Sequence, residues 1–551
     1  MKNYKLHIAT CLLLVTAVSY GQDFTEILGR PEVTSVTLSL LAGQSSEFYW
    51  EYGTSPGHYP QQTDHIAAVK DVPAEVIFTD LMPDTRYYYR SRSRAAGSTG
   101  AFLAGPERSF HTCRSVGSAF SFAVEADPHL DTNSNPDAYL LTLQNIGDQQ
   151  PDFMFDLGDT FMSEKLSKKT QEEVTARHVL YRPYFGSVCH SVPLYLVLGN
   201  HEGEQGWKLD GTSGSLPVMA ANTRMRYYPN PLPDSFYSGN EKPEEFVGLR
   251  QNYYAMEWGD ALFIVLDPYW YTTVKPGWGW TLGPEQYQWF SEVLAGSNAR
   301  FRFVFCHQLV GGNGNDARGG AEYADFFELG GKNSDFTWGF DDNRPGWGRS
   351  IHQLMVDHHV NVFFHGHDHC YAKQDKDGVV YQEIPQPSAR NISNFTGAQY
   401  GYVNGTFFPN RGFLLVTISD TTAKVEYIRT YLPSEEDATR KNGDVSHSYT
   451  LRSNVSGIGQ DDTKTTLSVN LRCSPNPVSG NATLSFEVRQ ACRVQVCINE
   501  IFGKKIRVLV DKYLDKGRYS FSLSRSELPS GLCLCRLITD VGSETIKLVV
   551  Q

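Results

Sequence analysis

Residues 361–369 read NVFFHGHDH: an apolar run climbs to a glycine and then gives way to His367 and His369. A short continuous apolar run of this kind reads as a sheet strand buried on both faces. Four other runs end alike. FAVEADPH (122–129) ends in Asp127 and His129, and FMFDLGD (153–159) in Asp159. LYLVLGNHE (194–202) ends in Asn200, His201 and Glu202, and FRFVFCH (301–307) in His307. Helical patterns near 137–146, 284–294 and 350–358 interleave with these runs. Buried strands alternating with helices predict an α/β domain over about 117–430. Ligands of open α/β sheets gather at the carboxyl ends of strands, so five such ends carrying Asp, Asn and His predict one shared polar site.

Carboxylates and imidazoles together suit Zn, Fe or Mn better than Ca or Mg. Two cations ~3.5–4 Å apart need an anion between them, which a single Asp supplies, and they can activate a water for attack at phosphorus. Gly158, Gly199 and Gly366 sit beside the ligand candidates, where the backbone must turn sharply as each strand stops.

In order, Asp-x-His, Gly-Asp, Gly-Asn-His-Glu, a lone His and Gly-His-x-His resemble the motifs of the calcineurin-like metallophosphoesterase superfamily, spread from Asp127 to His369. The resemblance implies a β-sandwich flanked by helices. It also implies two divalent or trivalent metal ions (Fe, Mn or Zn) and hydrolysis of phosphate esters by a metal-activated water. It assigns Asp127, His129, Asp159 and His369 to one metal, and Asp159, Asn200, His307 and His367 to the other. His201 is then no ligand; it stands near the phosphate and stabilises or protonates the leaving oxygen, with Asn200 also near the substrate. An acid-phosphatase-like phosphomonoesterase is the leading expectation. A phosphodiesterase or nucleotidase, and a non-catalytic surface-binding protein, are the alternatives; the intact ligand set argues against the last.

Two loops bear on substrate. DPYWYTTVKPGWGW (267–280) carries five aromatics that would roof the site or pack among themselves. GGNGNDARGG (311–320) would bring flexible backbone and Arg318 to a phosphate. His352, His358 and His359 read as a solvated helix end, and His111, His178 and His190 as satisfied core or loop residues. Cys306 and Cys370 read as small buried residues beside the ligands.

Outside this domain the chain reads as secreted. Lys2, Lys5, an apolar run over 8–18 and small Ser19 and Gly21 form a signal peptide (1–21), with the mature chain starting near Gln22. Cys11 lies inside the apolar run, which argues against lipidation, and no later stretch reads as a transmembrane span. Residues 22–113 are short β-runs with turn signals; FTDLMPDTRYYYRSRS (78–93) resembles the end of a fibronectin type III domain, a module often found before phosphatases of the purple acid phosphatase type. A polar linker with room for one extra strand covers 431–465. SPNPVSG, a turn at Gly503 and Lys504, and the late LPSGL resemble a type IX secretion C-terminal sorting domain over 466–551, with Cys533 where the family has Tyr. The resemblance implies the type IX secretion machinery as a partner and a secreted or cell-surface location. Crowded cysteines there (492, 497, 533, 535) leave room for a bridge of undetermined connectivity. A net charge of -12 disfavours a nucleic-acid scaffold role.

One departure from the purple acid phosphatases is specific. Those enzymes carry Asp-x-Gly in the first motif and a Tyr three residues after the bridging Asp, and that phenolate on ferric iron gives them colour. Here the first motif is Asp127-Pro128-His129, and Met162 occupies the tyrosine position. A thioether is a poor partner for ferric iron. The iron-loaded protein is expected to be colourless or faintly coloured; an intense visible band of the iron–phenolate type would contradict the ligand assignment.

Overall fold

The computed structural model describes residues 23–275, 277–310, 317–453, 471–488, 492–500, 505–539 and 542–551. The signal peptide, residues 311–316 of the Gly-rich loop, residues 454–465 of the linker and the Gly503–Lys504 turn lie outside them.

The central domain is built on two mixed sheets. One has six strands, in the order Leu194–Leu196, Phe153–Asp156, Phe120–Glu125, Gly412–Ile418, Thr422–Arg429, Val445–Arg452. Its first three are parallel and carry three of the five motifs. The other has eight strands, with Ala261–Val265, Phe301–Phe305, Val362–His365 and Val379–Glu383 parallel at its centre. The apolar runs of both sheets meet in one core rich in phenylalanine, where Phe122 touches Phe153, Phe263 and Phe303 and Phe155 stacks on Phe305 at 4.1 Å. Helices cover the outer faces: Pro136–Gln149 and Gln171–Gly186 on the first sheet, Pro284–Gly296 and Ile351–Asp357 on the second. Strands covered on both sides explain why the sequence shows continuous apolar runs instead of alternation. Val445–Arg452 lies within the segment read as linker, yet it is the edge strand of the first sheet, paired with Thr422–Arg429. Its alternation of half-buried and exposed residues gives it the polar texture of a linker.

The N-terminal region forms two antiparallel sheets around Phe48, Trp50, Tyr87, Tyr89 and Phe110. The run RYYYRSRSRA alternates as expected of a half-buried strand: Tyr87, Tyr89 and Ser91 point inward. At the C-terminus two further sheets enclose a core that includes Leu484, Phe486, Val496, Cys533 and Leu537. Cys113, Cys189, Cys306, Cys370, Cys473, Cys497 and Cys535 are free thiols. Among the described residues no helix is long and apolar enough to cross a membrane.

The chain divides into two compact units at residues 455/456. The first unit holds both the N-terminal sheets and the central domain, because they share a core: Ile27 and Leu41 pack with Tyr139, Phe185 and Tyr228. Arg182, fully buried on helix Gln171–Gly186, ties the seam. It donates to Thr25 Oγ1 and O, to Ser39 Oγ and O, and to Tyr227 O, at 2.7–3.1 Å. Leu28 N–H donates to Cys189 O, and Tyr89 Oη to His190 O.

Arg182→Ala strands these acceptors in a dry interface, where each unsatisfied group costs ~1–3 kcal/mol. The expected result is a thermal midpoint lowered by several degrees, with the N-terminal sheets and the central domain still melting together. An unchanged midpoint would show that the seam does not depend on this guanidinium.

Candidate metal centre

Asp127, Asp159, Asn200, His307 and His367 each stand just past the carboxyl end of a parallel strand. Pairing of Glu125 with Asp156 and of Asp156 with Leu196 sets the first three side by side; pairing of Phe305 with Phe364 does the same for the last two. The strands stop because the chain leaves extended geometry at the site. Asp127, His129, Asp159, His367 and His369 have φ of 62°, 53°, 54°, 83° and 52°. Such left-handed non-glycine residues cost on the order of 1–3 kcal/mol each and cluster at functional sites. Gly158, at φ 94°, lets the Asp159 turn touch the next one: a Cβ there would lie 2.3 Å from Gly199 N.

Two three-residue clusters result. Asp127, His129 and His369 bring ligand atoms within 4.8 Å of one another, as do Asp159, His307 and His367. Asp127 Oδ1 lies 3.4 Å from His369 Nε2, 3.6 Å from His129 Nε2 and 3.7 Å from His307 Nε2. Asp159 Oδ2 lies 3.3 Å from His307 Nε2 and 3.8 Å from His129 Nε2, and so faces both clusters. Asp127 and Asp159 are buried, as are His307 and His367.

The donor set fits metal ions. Asp127 Oδ1, His129 Nε2, Asn200 Oδ1, His307 Nε2 and both ring nitrogens of His367 are buried with no hydrogen-bond partner. Folded chains pair nearly all buried polar atoms, so this concentration at one place marks atoms kept for a ligand. The charges agree. Burial opposes charge on His129 and His307, yet Asp127 and Asp159 beside them push their pKa values up to about 9 and about 10. Burial likewise resists charge on Asp127, and His307 and His369 nonetheless hold it well below the usual carboxylate range. These are carboxylates that require positive charge next to them, which divalent cations supply while displacing the protons.

His201 lies beside the clusters. Its N–H donates to Asp159 Oδ1 at 2.7 Å, and its Nε2 is 3.9 Å from Asp159 Oδ2. Its Nδ1 is 3.1 Å from Glu164 Oε2, and Lys208 Nζ donates to Glu164 Oε1 at 2.5 Å. Hydrogen bonds from His201, ahead of those from Lys208, hold Glu164 well below the carboxylate range. Glu164 therefore stays ionised and fixes the imidazole ring. Sequence reading missed it, because it falls in a short polar stretch without periodicity.

Glu202 closes the LYLVLGNHE run. Its buried carboxylate accepts N–H groups from Gly199, Asp159, Thr160 and Phe161, and so clamps the Asp159 turn to the Asn200–His201 turn. Behind His367, Asp368 accepts from Arg318 Nη1, Gly319 N and Tyr402 Oη, while its own N–H donates to Glu383. His365, also passed over, pairs through Nδ1 with Glu383 at 2.7 Å; burial pushes this imidazole down to about 3, so it is neutral.

The residues around the site are held as follows. Arg318 is engaged by the protein: Nη1 donates to Asp368 and to His367 O, and the guanidinium lies over Tyr400. It braces the His367 turn. The aromatic loop is packed down on the protein: Tyr269 meets Trp280 within it, and both are buried with Leu198 and Ala317, with Trp207 against Trp280. His352 is not solvated; it is buried between Tyr381 Oη and Asp377. Cys306 and Cys370 are buried thiols whose pKa values burial raises, which fits space-filling residues.

The central domain is a metallophosphoesterase domain by its family match and its paired clusters. Residues 120–371 match the family model described as calcineurin-like phosphoesterase, and residues 473–551 match that of a secretion system C-terminal sorting domain. The chain thus contains a calcineurin-like metallophosphoesterase domain and a type IX sorting domain, which directs it to secretion or the cell surface. Comparison with curated proteins found no match. Among solved structures, one titled "Structure of PhoD" superposes with a TM-score of 0.55 at 15% identity, covering 78% of this chain and 90% of that one. Purple acid phosphatase PPD1 from yellow lupin (Lupinus luteus) seeds superposes at 0.51 with 16% identity, covering 78% of this chain and 74% of the other. At these identities the likeness is one of fold.

Asp159→Ala removes a carboxylate that faces both clusters. The variant is expected to lose metal along with activity; elemental analysis showing two ions per chain would contradict this.

Proposed function

We propose that this chain is a secreted phosphomonoesterase acting with two metal ions. Asp127, His129, Asp159 and His369 hold one ion; Asp159, Asn200, His307 and His367 hold the other. The reading rests above all on the unpaired buried atoms of Asp127, His129, Asn200, His307 and His367, all of which belong to the ligand set. When bound, such an ion pair polarises the phosphoryl group and lowers the pKa of water.

The protein's own groups do the rest. Asn200, beside His201, holds a phosphoryl oxygen in place. Water attacks phosphorus as the bond to the leaving oxygen breaks, and His201 gives that oxygen a proton or stabilises its charge. Glu164, ionised and anchored by Lys208, keeps the His201 ring turned for this task. Glu202 keeps the two ligand-bearing turns in register. A cavity of about 430 Å³ opens beside His129, His201 and His369. That is the lower range for small-ligand sites and favours a compact monoester.

The test is a metal-loaded panel of phosphomonoesters, bis-aryl phosphates and nucleotides. Preferred turnover of monoesters is expected; preference for diesters would replace this reading by a phosphodiesterase, and preference for nucleotides by a nucleotidase. His201→Ala should retain both metals and slow turnover of a poor leaving group by ~10²–10⁴-fold. The defect should be smaller for nitrophenolate, which needs less help. A near-normal rate on a poor leaving group would remove His201 from this role.

A further inference from the structure

The cavity beside His129, His201 and His369 has a wall chemistry that the ester bond does not need. Leu130, Met162 and Leu166 line it with carbon, and Lys165 and Arg177 add two cations. Arg177 is fixed in place: Nε donates to Phe161 O at 2.8 Å and Nη2 to His129 O at 3.0 Å. Lys165 is free to move. Its side chain is 57% exposed, and its nearest carboxylate, Glu164 Oε2 at 3.5 Å, is shared with His201 and anchored by Lys208. The carboxylate on the wall, Asp131, is already occupied, with Oδ2 3.5 Å from His129 Nδ1 and Oδ1 accepting from Asn133 N and Ser134 Oγ.

A phosphate group alone is served by the metal ligands, Asn200 and His201. The additional cations stand where the alcohol half of the ester must lie, next to an apolar surface large enough for one ring. We propose that this cavity is a leaving-group subsite for phosphomonoesters whose alcohol carries a second anionic group, such as a carboxylate, on a compact apolar body. Lys165 is the specificity-determining residue. The inference rests on the phosphoesterase reading of the same site.

Two substrates of nearly equal shape separate the possibilities: 4-carboxyphenyl phosphate and its methyl ester, which lacks the second charge. With the metal-loaded full chain, kcat/KM for the acid is expected to exceed that for the ester by about fivefold, the scale of a partly exposed ion pair. The gap should lie in KM and shrink as salt is raised. Lys165→Glu should reverse the preference, and Lys165→Arg should keep it. Equal efficiency on the two substrates in the wild type overturns the inference while leaving the phosphoesterase reading intact. A preference that persists in Lys165→Glu also overturns it. Turnover of neither substrate with both metals bound overturns the phosphoesterase reading, and this inference with it.

Discussion

Two carboxylates with almost no access to water, Asp127 and Asp159, govern the architecture. Burying an unpaired carboxylate is prohibitive; burying two close together adds repulsion. The surrounding structure answers that cost with imidazoles, with backbone N–H groups and with room for cations. The sheets bring the other ligands: His307 and His367 follow strands of the second sheet, His129 and Asn200 strands of the first. Neither sheet alone completes the site, so its assembly requires the aromatic core between them to form.

The clamps around the site explain how strained turns persist. Five ligands sit in left-handed backbone geometry, and any one would relax if its neighbours allowed it. Glu202 gathers the N–H groups of two turns on one carboxylate, and Asp368 ties the His367 turn to Arg318, Gly319 and Tyr402. The rigidity is therefore polar in origin, laid over an apolar base.

Much of the site was legible in the sequence because its residues occupy a position with a signature: the abrupt end of an apolar run. Asp127, Asp159, His307 and His367 all share it. Glu202 and Asp368 stand at the same run ends, but their roles lie in hydrogen bonds to other turns that a run end does not reveal, and Glu164 follows no apolar run. His365 was hidden for another reason: it belongs to the strand itself and faces Glu383 on the neighbouring strand. Glycines around Arg318 mark a flexible loop in the sequence, whereas the Asp368 carboxylate that holds it is visible only in the fold. In the fold, the central strands and three helices followed from periodicity. Helix Gln171–Gly186 did not, because its buried face includes His178 and Arg182, polar residues that blur the apolar stripe.

Arg182 and the shared core also bear on the chain's origin and handling. The N-terminal sheets look like a separable bead, and in many secreted proteins such beads are exchanged freely between genes. Here Ile27 and Leu41 are part of the neighbouring domain's interior. A fragment beginning after Cys113 would expose that interior to water and leave a buried guanidinium without acceptors. The two halves therefore fold as one unit, and a chain nicked at the joint would stay held together by that common interior.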